Sequence, residues 1–188
     1  MWNSERGKAA VDARKEQNRL EVVSVRLVKD APVLSEHKIK SPQDAVAVLG
    51  DILCELDREA VCVVNLKADG TPINCHFASI GSINQSIISP REIFKSSILS
   101  NAAGMILVHN HPSGSLHPSK EDIEVTARMI ELCRMMGIPL SDHIIVGGDN
   151  REYFSMCEKG MMENPHAVHY ADGKDRREGS RNAAERSR

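Results

Sequence analysis

The sequence predicts a single mixed α/β domain, and three observations carry that prediction. Short unbroken apolar runs, "AVCVVNL" (60–66), "GMILV" (104–108) and "HIIVGG" (143–148), have the length and hydrophobicity of buried strands. Stretches with helical spacing alternate with them at 40–59, 89–102 and 119–137. A chain of 188 residues, 41% hydrophobic and 27% charged, fits one soluble domain with polar ends rather than a disordered or fibrous protein.

Taken in order, residues 1–20 read as a polar N-terminal arm, 21–162 as the domain, and 163–188 as a disordered polar tail with almost nothing to bury. "EVVSVRLVKD" (21–30) sets Val23, Val25 and Leu27 at period two, which predicts a strand. In the helix over 40–59, Ser41 caps, Pro42 suits the first position and Asp44 completes a capping box. Its apolar face is Ala45, Val48, Leu49, Ile52 and Leu56. "KADG" (67–70) is a turn signal, so "TPINCHFAS" (71–79) should return antiparallel to the strand before it. Ser-Pro opens the helix over 89–102. The helix over 119–137 shows an apolar row at Ile123, Ala127, Ile130 and Cys133, and Gly137 stands where a C-terminal cap belongs. "REYFSMCEKGM" (151–161) is a short closing element.

Composition narrows the function. Aromatic residues are only 3%, so the core must come from Val, Ile, Leu, Ala and Met. A net charge of -2 gives no basic excess and hence no strong nucleic-acid signal. The five cysteines are odd in number and form no Cys-x-x-Cys, which favours buried reduced thiols in a reducing cytoplasm over disulfides. The N-terminus lacks the apolar core of a signal peptide, and no apolar run approaches the ~18 residues of a membrane helix. A soluble cytoplasmic protein is expected; oligomeric state is not legible.

The chemistry concentrates in "HNHPSGSLHPSKED" (109–122). If "GMILV" runs on into His109, then His109 and His111 project to the same face of a strand and can grip one metal ion. Pro112 stops the strand, "SGS" turns the chain, and Asp122 falls in the first turn of the next helix, where the helix dipole favours its carboxylate. Two His and one Asp leave a fourth tetrahedral position for water, the pattern of a catalytic zinc site. A bland reading coexists with this one. The histidines can be polar residues where a strand leaves the core, and Ser119-x-x-Asp122 has the spacing of a capping box.

His109-x-His111, seven residues, then Ser119-x-x-Asp122 resembles the JAMM motif of the MPN+ zinc metalloproteases. "SPREIF" (89–94), "HNHPSG" (109–114), "PSKEDI" (118–123) and "DHIIVG" (142–147) resemble, in order, the hallmarks of its RadC-like branch, over about residues 41–160. The resemblance implies a β-sheet flanked by helices, similar to the cytidine-deaminase-like architecture, with one zinc per chain held by His109, His111 and Asp122. It implies a glutamate general base before the first long core strand, which here is Glu59. Read on its own, Glu59 is a solvated residue at a helix end; Glu55 lies one turn earlier, and Glu92 is the main rival, with a bland role as a first-turn helix acid. Ser119 is similar to the family serine that supports the oxyanion. His143 is a structural histidine at a strand start or a residue behind the ligands, and His117 a loop residue.

RadC-like proteins often carry an N-terminal helix-hairpin-helix region, and the first 40 residues do not look like one, which weakens a DNA-repair role. The signatures of zinc deaminases (His-x-Glu with Pro-Cys-x-x-Cys), of His-Glu-x-x-His proteases and of P-loops are absent. Three adjacent letters "HNH" do not make an HNH nuclease, whose metal module spreads its residues. Two function classes stay open. One is a zinc hydrolase cleaving a peptide or isopeptide bond in a polypeptide substrate. The other is a zinc-binding module in a DNA-repair or mobile-element assembly.

Overall fold

The computed structural model describes residues 24–30, 33, 35, 37–81 and 89–162. The polar arm and tail expected at 1–20 and 163–188 lie outside the described residues. Residues 24–30 carry no regular structure, and Val25 and Leu27 are 70% and 46% exposed. The strand expected over 21–30 is therefore not formed in its described part. Period-two alternation makes a strand only where a neighbouring strand receives its backbone groups, and the sheet closes its order without this segment.

The elements are α1 (Pro42–Cys54), β1 (Glu59–Leu66), β2 (Pro72–Gly81), α2 (Pro90–Leu99), β3 (Gly104–His111), α3 (Lys120–Met136), β4 (Leu140–Gly147) and β5 (Asp149–Ser155). The five strands pair in the order β2-β1-β3-β4-β5. All pairs are antiparallel except β3 and β4, whose parallel pairing is reached by crossing over through α3. The fold is thus α/β with a mixed sheet and helices, as the sequence predicts. Among the described residues no helix is long and apolar enough to cross a membrane.

The helix ends follow their signals. Ser41 caps α1 in a full capping box with Asp44, and Pro42 fills its first turn. α1 stops at Cys54, short of the expected 59, because Glu55 to Arg58 must reverse the chain into β1. Gly137 ends α3 in the left-handed conformation, φ 68°.

The helix faces match the expected apolar rows only in part. α1 buries Ala45, Val46, Leu49 and Leu53, while Ile52 stays 36% exposed. α3 buries Asp122, Thr126, Met129 and Cys133, and Ile123 is 44% exposed. In α1 the expected Ala45 and Leu49 are buried and Val48 and Leu56 pack against the core, whereas in α3 the sheet selects the row beside the one that hydropathy favours, the two sharing Cys133. In α3 the reason is chemical: the buried row starts with a carboxylate and a hydroxyl that have polar partners on the sheet.

Strand parity divides the core into two layers. Even residues of β1 and β3, such as Cys62, Val64, Ile106 and Val108, pack with Leu49 and Leu53 of α1. Odd residues, such as Val61, Val63, Met105 and Leu107, pack with Ile93 of α2 and Met129 and Cys133 of α3. A side-chain period of two therefore sends Glu59, His109 and His111 to the α3 face and Asn110 to the α1 face.

Candidate metal centre

β3 runs without a break to His111, so both histidines of the His-x-His pair are strand residues. β1 is antiparallel to β3, with Val61 opposite His109, and the same register carries Glu59 to the level of His111. Pro112 and Ser113 turn the chain, which re-enters helix at α3 with Asp122 as the third helical residue. Strand end, strand start and helix start thus meet at one end of the sheet.

Side-chain atoms of Glu59, His109, His111 and Asp122 lie within 4.8 Å of one another. The Nε2 atoms of His109 and His111 are 3.0 Å apart. His109 Nε2 is 3.3 Å from Asp122 Oδ1, and His111 Nε2 is 3.4 Å from Asp122 Oδ2. A tetrahedral ion with bonds of about 2.0–2.2 Å spaces its ligand atoms roughly 3.3–3.6 Å apart, so the two His–Asp distances match one ion and the His–His distance is short of it by a few tenths of an ångström. Glu59 Oε1 stands farther off, 3.9 Å from His111 Nε2. The cluster is compatible with a metal ion held by His109, His111 and Asp122, with Glu59 at its margin.

Each imidazole is held from behind. His111 Nδ1 donates to the carbonyl of Ser115 at 2.8 Å. His109 Nδ1 lies 2.8 Å from His143 Nε2, and His143 Nδ1 lies 2.6 Å from Thr126 Oγ1. His109 and His143 are fully buried. Burial drives the His109 pKa well below its ordinary value, and the neighbouring His143 and His111 add to that against the opposing pull of Asp122. Burial likewise takes His143 down to about 4. Burial thus favours the neutral form of both rings, the form that can ligate a metal.

The carboxylates differ. Burial works against ionisation of Asp122, yet hydrogen bonding to His111, the nearby His109 and the Ser119 donors hold its pKa well below the usual range. Hydrogen bonding to Asp122 in turn raises the His111 pKa against the effect of burial. Burial raises the Glu59 pKa, His111 opposes this, and Asp122 adds to it. A carboxyl moved upward in this way is the better proton acceptor.

The structure separates the acidic candidates that spacing leaves open. Glu59 joins the cluster. Glu92 spends both oxygens on Lys95, at 2.6 and 2.7 Å, in the first turn of α2. Glu55 is the exposed C-cap of α1, and His117 is an exposed loop residue. Ser119 caps α3: its Oγ accepts from the Asp122 N–H at 3.1 Å and donates to Asp122 Oδ2 at 2.6 Å. That proton must be released before the serine can donate to a substrate oxygen.

Three contributors escape the sequence reading. Asn110 accepts from the Ala60 N–H at 2.8 Å and donates to the Arg58 carbonyl at 3.1 Å, where the β1–β3 ladder has ended. It clamps the backbone on both sides of Glu59. An amide inside a buried strand is the available signal, since such a group needs partners. Gly147 allows the turn after β3 to close on β4, because a Cβ there would stand 2.8 Å from the Gly114 oxygen. Thr126, one turn after Asp122, was hidden by the apolar row beside it.

Comparison with known proteins agrees with this geometry. Residues 39–161 match the family model described as the RadC-like JAB domain. A UPF0758 protein of Syntrophomonas wolfei is 44% identical over 128 residues, 66% of this chain and 54% of that protein. A UPF0758 protein of Rubrobacter xylanophilus is 44% identical over 124 residues, 66% of this chain and 53% of that protein. One from Methanosarcina acetivorans is 41% identical over 127 residues, 68% and 55% of the two chains. The chain spans about half the length of these curated relatives. With the matched segment running from just before α1 to just after β5 and enclosing every residue of the cluster, the chain belongs to the RadC-like JAB domain family.

Proposed function

We propose that the chain is a zinc-dependent hydrolase of peptide or isopeptide bonds, with a polypeptide as substrate and one zinc per chain. The observation that carries this is the unequal spacing in the cluster: three side chains at 3.0 to 3.4 Å from one another, and a fourth, Glu59, at 3.9 Å. Two imidazoles and a carboxylate form a mixed nitrogen and oxygen set suited to zinc. Zinc bound there supplies Lewis acidity, polarising a carbonyl and acidifying water.

The protein's own groups supply the rest. Glu59 takes a proton on Oε1 as water attacks and returns it to the leaving nitrogen, which its raised pKa assists. Asn110 holds the backbone that carries Glu59. Ser119 orients Asp122, and it can support the developing oxyanion once its proton leaves Asp122 Oδ2.

The test is Glu59→Gln, assayed for bound zinc and for cleavage of a panel of peptide and isopeptide-linked substrates. Zinc should stay at about one per chain while turnover falls about 10²–10⁴-fold. Undiminished turnover would remove Glu59 from the reaction. A wild-type chain that binds zinc and cleaves nothing in the panel would favour the binding-module reading.

A further inference from the structure

The geometry points to a buried relay, Asp122 carbonyl–Thr126–His143, that sets the tautomer of His109 and so presents its Nε2 lone pair to the metal. Thr126 and His143 are then positioning residues for a ligand they do not share. The inference rests on the metal reading proposed for this site.

The polarity of each link follows from the chemistry of its ends. Thr126 Oγ1 lies 2.6 Å from the carbonyl oxygen of Asp122, which can only accept. The single hydroxyl proton of Thr126 is therefore given to that carbonyl. Of the other two partners of Oγ1, Met156 Sδ at 3.2 Å is only a weak acceptor, and His143 Nδ1 at 2.6 Å must then be the donor. A neutral imidazole protonated on Nδ1 is an acceptor at Nε2. His143 Nε2 lies 2.8 Å from His109 Nδ1, so His109 donates from Nδ1 and its Nε2 is left bare. That bare nitrogen faces His111 and Asp122. Turning the Thr126 proton away from the Asp122 carbonyl sets two lone pairs against each other, and reversing the His143–His109 link alone would make His143 a doubly protonated cation, in a space where Thr126 is 2% exposed and both histidines are fully buried.

The relay also closes a loop. It starts from the backbone of one metal-binding residue, Asp122, and ends on the ring of another, His109. α3 and β3 are thereby tied through His143 of β4, so the separation of the two donors is set by hydrogen bonds as well as by packing. The Ser115 carbonyl does the same for His111 by a single bond, since it too can only accept. Partners of this kind typically contribute about 10–100-fold in metal affinity.

The experiment is competitive zinc titration against a chromophoric chelator, with thermal melting of the metal-free proteins. Thr126→Val keeps the shape and removes the acceptor for His143; Thr126→Ser keeps the hydroxyl. Thr126→Val should bind zinc about 10–100-fold more weakly than wild type, and Thr126→Ser should restore most of the affinity. Equal affinity in Thr126→Val and wild type, or equal loss in Thr126→Ser and Thr126→Val, overturns the relay. Imidazole ¹⁵N shifts of the wild-type protein give a reading that needs no variant: His109 and His143 should both carry the proton on Nδ1. The opposite tautomer at either ring overturns the relay even if Thr126→Val does not fold. A wild-type chain that binds no zinc sinks the metal reading and the relay together. Zinc binding that His109→Ala abolishes, with Thr126→Val unaffected, sinks the relay alone.

Discussion

The same four-residue word, Ser-x-x-Asp, starts both α1 and α3, and the two copies end in different chemistry. Ser41 and Asp44 form a full capping box, as do Ser119 and Asp122. In α1, Asp44 Oδ2 accepts from the N–H groups of Lys40 and Ser41 at 2.8 and 2.9 Å. In α3, Asp122 Oδ2 accepts from the N–H and hydroxyl of Ser119 at 2.7 and 2.6 Å, while Oδ1 looks across to His109. Among the described residues, a metal-competent cluster forms around Asp122 and none around Asp44. The difference is position on the sheet. The Ile39 N–H bonds to the Gly70 carbonyl, which puts the Ser41 cap beside the β1–β2 turn. Glu59 and His111 lie at the other end of the same strands, and that is where α3 begins. A capping box orients a carboxylate; only the strand ends facing it decide whether the carboxylate has further work.

Changing one box at a time separates the two aspartates. Asp122→Asn can still accept at the cap but loses the charge and a donor of the cluster. Its zinc affinity should fall by more than the roughly 100-fold that supporting residues contribute. Asp44→Asn should leave zinc affinity within about twofold and at most lower stability by ~1 kcal/mol. Zinc titration and melting of the pair check both arms, and equal zinc affinity in the two variants would sink the distinction.

Next in size is Gly147→Ala, which presses a methyl group against the Gly114 oxygen. Overpacking of this kind costs about 1–3 kcal/mol. Because the displaced turn carries the Ser115 carbonyl behind His111, zinc affinity should fall along with the melting temperature. A lower melting temperature with unchanged zinc affinity would show that the turn supports the fold but not the ligand. Asn110→Ala is predicted to lower the melting temperature alone. It strands the Ala60 N–H and the Arg58 carbonyl at a cost of about 1–3 kcal/mol, and it should leave zinc affinity nearly unchanged because no ligand depends on it.

The smallest effects belong to the two serines. Ser41→Ala and Ser119→Ala each lose an N-cap, worth ~1 kcal/mol and a few degrees of melting temperature. Only Ser119→Ala should also weaken zinc, since its hydroxyl holds Asp122 Oδ2. Identical zinc binding in both variants would reduce Ser119 to a helix start.

The features legible in the chain alone are those that live within one segment. The caps of α1 and α3, the Gly137 stop, the parity that puts His109 and His111 on one face, and the first-turn place of Asp122 are all local. Spacing along a strand or helix translates directly into direction, because each has one fixed period. Whatever depends on register between segments was settled by the packing of those segments. That packing brought Glu59, which the family resemblance names and no local spacing does, to the cluster and left Glu92 on Lys95. It turned α3 onto its Asp122–Thr126 row rather than the more apolar row of Ile123 and Ala127. It left the alternating residues 24–30 outside the sheet, and it joined His109 to His143 and Thr126. These choices are made by pairing across tens of residues, where shifting one strand by a single position turns every side chain to the opposite face, and no local period records which register wins.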